Sequence, residues 1–178
     1  MKIALLGVVS AIAIMGAVYI SVYNSAVQSE KQIVAQYDNL KNVLGQYSLK
    51  VAEAAQVPSM YRDDLTQVYS EVMQGRYGQD GSKAMWQWLK EQNPQIDSSL
   101  YGKIQTIVES GRDKFENQQT QFIDIKRGYE TRLDYFLTGS ILRFAGFPRI
   151  NLADYKIIES QHGKDTFETG VDSGLKLR

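Results

Sequence analysis

The chain opens on an unbroken apolar run, Ile3 to Tyr23 (IALLGVVSAIAIMGAVYISVY), that carries no charged side chain. At ~1.5 Å of rise per residue a helix of this length spans roughly 30 Å, the thickness of a bilayer's hydrocarbon core. The pattern predicts a transmembrane helix with Ile3, Gly7, Ile12 and Gly16 in the span. Tyr19 and Tyr23 fall near its far end, where amphipathic rings favour the lipid–water interface. The competing reading is a cleaved signal peptide, with Lys2 as the positive region and Ala11-Ile12-Ala13 as a small-x-small site. The apolar run continues to Tyr23, well past Ala13, and favours the anchor. Gly7, Ser10, Ala11, Ala13, Gly16 and Ala17 are small enough to let membrane helices approach closely.

Past the run the apolar positions settle into alternating steps of four and three: Ile33, Tyr37, Leu40, Leu44, Tyr47 and Val51. This is the a/d register of a helix that packs along a partner. Gly45 is the one glycine between Tyr23 and Pro58, and no proline intervenes. The membrane helix is therefore expected to continue to about Val57 as one helix, roughly 80 Å long. Val34, Val43 and Leu49 lie off the seam and are expected to widen its apolar face. Pro58 ends the helix. Ser59 is placed to cap the next one, with Asp63 and Asp64 in its first turn and Tyr61, Leu65, Val68 and Val72 as its stripe.

A glycine-rich loop over 75–82 leads to a short helix, Lys83 to Gln92, with Met85, Trp86 and Leu89 inward. Asn93-Pro94 breaks it, and Asp97 or Ser98 caps the last long helix. The inward positions there are Leu100, Ile104, Ile107, Gly111, Phe115, Gln118, Phe122, Ile125, Tyr129, Leu133 and Phe136, closer to an 11-residue repeat than to a strict heptad. This helix returns antiparallel to the first, so its apolar end must come back toward the membrane. Leu137, Ile141, Phe144 and Phe147, beside Arg143 and Arg149, are the candidates there for contact with lipid or a neighbouring subunit. The polar remainder offers one strand candidate, Tyr155-Lys156-Ile157-Ile158, which could pair with Thr166 to Val171. The predicted class is all-α: a membrane anchor (1–25), a long antiparallel helical bundle (26–149) and a small irregular or β-hairpin tail (150–178).

Composition narrows the chemistry. Lys plus Arg and Asp plus Glu stand at 20 each in 178 residues, and this balance gives no basic excess of the kind nucleic-acid binding needs. Cysteine is absent, which removes disulfides, thiolate metal sites and thiol catalysis. The lone His162 has no second histidine with which to build a zinc or di-iron site. Gly75, Gly78, Gly81 and Lys83 give a GxxGxxGxK spacing, but between two helices it matches neither a P-loop nor a dinucleotide turn, and turn glycines explain it. Asp63 and Asp64 are adjacent on a helix and do not face each other. Trp86 is expected in the core, and Trp88 faces elsewhere as a contact candidate. No nucleophile–base set emerges, so no enzyme, cofactor, metal or small-molecule substrate is expected.

Several local matches accompany this architecture. Tyr23-Asn24 with Val27 follows the membrane helix. Gly111-Arg112, Phe115-Glu116 and Lys126-Arg127-Gly128-Tyr129 lie on the long helix, and Gly146-Phe147 closes it. Ala55-Gln56-Val57-Pro58 and the stretch from Arg76-Tyr77-Gly78 to Ala84-Met85 add to them. On these the chain resembles a LemA family protein. The resemblance implies a membrane helix followed by an antiparallel helical bundle, a short N-terminus outside, and no known catalytic activity. The charge of Lys2 leans toward a cytoplasmic N-terminus, whereas Lys31 and Lys41 argue the reverse. The side on which the domain lies stays open.

Two functions fit a membrane-located chain of this kind. One is a structural or scaffolding protein that forms homo-oligomers, with the lipid bilayer as its other partner. The other is a tethered binding module that presents the 76–83 loop to a soluble protein.

Overall fold

In the computed structural model of the protein, residues 2–73, 81–158 and 168–170 are described, and among them there are five α-helices and no strand. They are α1 (Lys2–Ala54), α2 (Arg62–Met73), α3 (Gly81–Gln92), α4 (Tyr101–Asp134) and α5 (Phe136–Phe144). The all-α expectation holds, and α1 is one uninterrupted helix of 53 residues. The described residues group into two compact units, Met1–Tyr37 with Gln121–Lys156 and Asp38–Thr120 with Ile157–Arg178.

In the first unit α1 and α4 run antiparallel. Moving up α1, Ser25 meets Arg132, Glu30 meets Tyr129 and Tyr37 meets Phe122. The buried seam on α1 is Ala26, Ser29, Ile33 and Gln36, and Phe122, Tyr129 and Leu133 answer from α4. Tyr37 is only half-buried; its ring leans on Phe122 at 5.7 Å and meets the edge of Tyr155 at 5.3 Å.

The second unit packs α2 and α3 with its own stretches of α1 and α4. Leu40, Val43, Val51, Leu65, Tyr69, Met85, Leu89, Ile104 and Val108 are buried there, while Leu44 and Tyr47 are half-buried. Val43 is 7% exposed and belongs to the core, which corrects the expectation that it lies off the seam; Val34 and Leu49 are exposed as expected. Val108 is buried where Ile107 was expected. Gly81 is buried between Arg112 and Val72. Trp86, half-buried, meets the edge of the Tyr101 ring at 5.5 Å, and Trp88 is half-buried as well.

The helix ends follow local rules. α1 stops in a left-handed cap: Gln56 has φ 52°, the Val57 N–H donates to the Ala52 carbonyl at 2.8 Å, and Val57 and Ala52 are both buried. This is the Schellman arrangement. Gly146 (φ 61°) closes α5 in the same way, with Phe147 N–H donating to Leu142 O at 3.0 Å. Ser59 does not cap α2. It opens a single 3-10 turn, Ser59–Tyr61, whose capping position is Pro58. Asp97 accepts from the Ser99 N–H at 2.9 Å and caps the turn Ser98–Leu100 that leads into α4. Those Ser99 bonds hold the Asp97 carboxyl below the usual carboxylate range.

The strand candidate Tyr155–Ile158 is irregular. Its backbone finds partners on α4 side chains instead of on a second strand: Lys126 Nζ donates to Tyr155 O at 2.9 Å, and the Gln119 amide makes both bonds to Ile158, at 2.7 and 3.0 Å. Most of the proposed pairing segment, Thr166 to Val171, lies outside the described residues.

Candidate functional site

The first unit carries the surface that distinguishes this molecule. α1 is the one helix among the described residues long and apolar enough to cross a membrane, and none of its apolar window is buried in the protein. Ile3, Ile12 and Tyr19 are exposed, and a Cβ added at Gly7 or Gly16 would meet nothing within 4 Å. Tyr23 is half-buried, its ring meeting that of Phe147 edge-on at 5.1 Å. Soluble monomers rarely leave a contiguous apolar surface larger than a few hundred Å² bare, so a face of this extent needs an apolar medium or a partner.

Directly beyond Tyr23 the apolar seam is interrupted by polar side chains, and each is answered. Ser29 is buried; its hydroxyl donates to the Ser25 carbonyl at 2.9 Å and accepts from Arg132 Nη1 at 2.9 Å. Arg132 Nη1 also donates to the Ser25 carbonyl at 3.0 Å and to the Ser25 hydroxyl. Arg132 comes from the last turn of α4, where a cation also suits the helix dipole. One turn away, a Glu30 carboxylate oxygen accepts from Tyr129 Oη at 2.6 Å and from the Ile150 N–H at 3.0 Å. Burial, and then the Glu30 carboxylate, push the Tyr129 phenol well above its ordinary pKa. This collar of Ser25, Ser29, Glu30, Tyr129 and Arg132 ties the end of α4 to α1 just past the charge-free run.

Sequence reasoning missed the collar because it followed apolar residues only. The signal was present: stepping the seam back from Ile33 reaches Ser29 and Ala26, so a serine occupies a buried position. A polar residue there needs a partner.

Between α4 and α5 the chain turns at Tyr135, whose backbone is extended (ψ 136°). The Thr138 hydroxyl donates to the Arg132 carbonyl at 2.6 Å, and Gly139 is buried so close to Leu133 that an added Cβ would lie 2.1 Å from its carbonyl oxygen. Phe136, expected to be the last inward position of the long helix, instead begins α5 and is exposed. Among the candidate contact residues, Leu137 and Phe144 are exposed, Ile141 is half-buried and Phe147 is buried against Tyr23.

Two hollows carry little chemistry. An open groove of about 410 Å³ lies between Tyr129–Asp134 and Arg149–Leu152, and another of about 220 Å³ lies beside Ser48, Arg62 and Thr66. Neither lining pairs a serine or threonine with a carboxylate or imidazole. Among the described residues no three His, Asp or Glu side chains converge as metal ligands. Gly75, Gly78, His162 and most of the 76–83 loop lie outside the described residues. Comparison with models of known families, with curated proteins and with solved structures gives no match to this chain.

Proposed function

We propose that the chain is a single-pass membrane protein whose helical domain has a structural or scaffolding role through homo-oligomerisation at the bilayer, in a LemA-like arrangement. The observation that carries this reading is the uncovered, charge-free face of α1 from Ile3 to Tyr19, in one helix with a folded domain. Gly7 and Gly16 leave room for a second span to approach, and Val34 continues an exposed apolar position beyond the collar. The reading assigns no catalytic step to the protein.

Ile12→Arg places a charge near mid-bilayer, at a cost of roughly 2.5–3.5 kcal/mol on insertion scales. The yield of full-length protein in the membrane fraction is expected to fall sharply. Normal integration of that variant, or a mature protein lacking residues 1–25, overturns the anchor. Self-association is read separately from single cysteines introduced at Ile12 and Val34, which the absence of native cysteine makes simple. Crosslinked dimers are expected at both. Monomer at both positions, with a monomeric mass in mild detergent, replaces scaffolding by the tethered binding module.

A further inference from the structure

We infer that α5 is a second membrane contact: a short interfacial helix that lies on the bilayer surface and seats Phe136, Leu137 and Phe144 at the boundary between headgroups and acyl chains. The inference rests on the anchor reading and assigns α5 to lipid instead of to a second copy of the chain.

Three observations carry it. The first is exposure. Phe136 is 89%, Leu137 62% and Phe144 90% exposed, and at ~100° per residue they fall on one side of α5, with buried Gly139 and Leu142 on the other. Two bare phenylalanines and a leucine on one helix face are an unfavourable surface in water. The second is level. The start of α5 is held through Arg132, which bonds Ser25 and Ser29. Its end is held through Phe147, whose N–H caps α5 and whose ring packs on Tyr23. Both ends are therefore fixed within about two turns of the last residue of the charge-free run. A bilayer that holds Ile3 to Tyr23 places its surface at α5. The third is charge. Arg143 is exposed on α5 beside this face, and an apolar face edged by an arginine suits an interface with anionic headgroups. The close approach of Gly139 to the Leu133 carbonyl fixes which side of α5 faces outward.

The test uses the full chain in nanodiscs containing anionic phospholipid, with one spin label at a time on Phe144→Cys, Leu137→Cys, Ile12→Cys or Ala35→Cys. Collision with oxygen, which concentrates in lipid, is compared with collision with a water-soluble nickel chelate. Labels at Phe144 and Leu137 are expected to favour oxygen, as Ile12 does, while exposed Ala35 favours nickel. If both α5 labels favour nickel while Ile12 favours oxygen, the α5 inference falls and the anchor stands. If Ile12 favours nickel, the anchor falls and the inference with it. If the α5 labels are shielded from both reagents and broadened by a second label nearby, another copy covers the face and the inference is overturned. Phe136, Leu137 and Phe144 make few contacts with the fold, so these substitutions leave its core intact.

Discussion

Tyr69 is 0% exposed, and its hydroxyl has no hydrogen-bond partner among the described residues. It sits against Gly111, where an added Cβ would fall 1.8 Å from Tyr69 Oη and 2.9 Å from the Tyr47 ring. Gly111→Ala is therefore expected to destabilise by roughly 1–3 kcal/mol, the usual cost of overpacking. Tyr69→Phe removes both the unpaired polar atom and the nearest clashing atom, so it should stabilise by about 1 kcal/mol. It should also rescue part of the Gly111→Ala loss. Urea unfolding of the two single variants and the double variant measures the coupling; strict additivity would show that the two groups do not touch. Tyr129 behaves oppositely, because its hydroxyl donates to a carboxylate. Tyr129→Phe should cost about 1.5–3 kcal/mol, the range for hydrogen bonds to charged groups.

Both phenols are pushed above the ordinary tyrosine value of 10.0, by burial first in each case. A proton held more tightly in the folded state gives a stability contribution that is complete below pH 10 and is lost as pH rises above it. Tyrosinate absorbance should show Tyr69 and Tyr129 titrating late. Tyr69→Phe and Tyr129→Phe should each remove one late proton, and unchanged titration in either variant contradicts the assignment.

At the scale of helices, the ends are decided by a few backbone angles. Gln56 occupies the left-handed region that glycine takes at the equivalent place in α5, Gly146. A non-glycine residue there costs roughly 1–2 kcal/mol. Gln56→Gly is thus expected to stabilise by about 1 kcal/mol, and Gly146→Ala to destabilise by a similar amount. Thermal melts of the pair, shifted in opposite directions, check both caps; a shift in the same direction rejects the shared geometry. The helices themselves were legible in the sequence because apolar periodicity and the Pro58 and Asn93-Pro94 breaks mark most of their bounds. The finer register was not. A seam traced through Tyr37 and Leu44 lies one residue from the buried Gln36 and Val43: hydropathy alone skips glutamine, and between two adjacent apolar residues, Val43 and Leu44, it does not say which faces in. The turn at Tyr135 was also invisible, since neither glycine nor proline stands at the bend. Its marker is Gly139, four residues on, where the backbone of α5 closes on Leu133. Of the candidate contact set, the sequence found the apolar residues but could not tell that Phe147 faces inward while Phe144 faces out.

For the molecule as a whole, the decisive feature is that the charge-free run Ile3 to Tyr23 continues without a joint into the rest of α1. α1 passes from the charge-free run into the collar with no break in its backbone hydrogen bonding, and Ser25 and Ser29 are bonded to Arg132 within the first turns beyond it. A helix clamped in this way transmits rotation and tilt of the charge-free run to the collar, whereas a flexible linker would absorb them. Inserting Gly-Pro between Ser25 and Ala26 breaks both conditions. Proline removes a helical N–H and pushes its predecessor out of the helical region, and two added residues turn the charge-free run by ~200° relative to Ser29. Spin labels at exposed Val18 and Ala35 of the unaltered chain should give a narrow distance distribution near 26 Å, at ~1.5 Å per residue plus the label's own spread. The insertion should broaden it and free Ser25 from Arg132. Leu65, Tyr69 and Met85, in the second unit, should keep their native-state hydrogen-exchange protection, since the insertion alters none of that core. A broad, short distribution in the unaltered chain would show that α1 bends just past the charge-free run. A narrow one that survives the insertion would show that the collar holds the two stretches of α1 together without helical continuity.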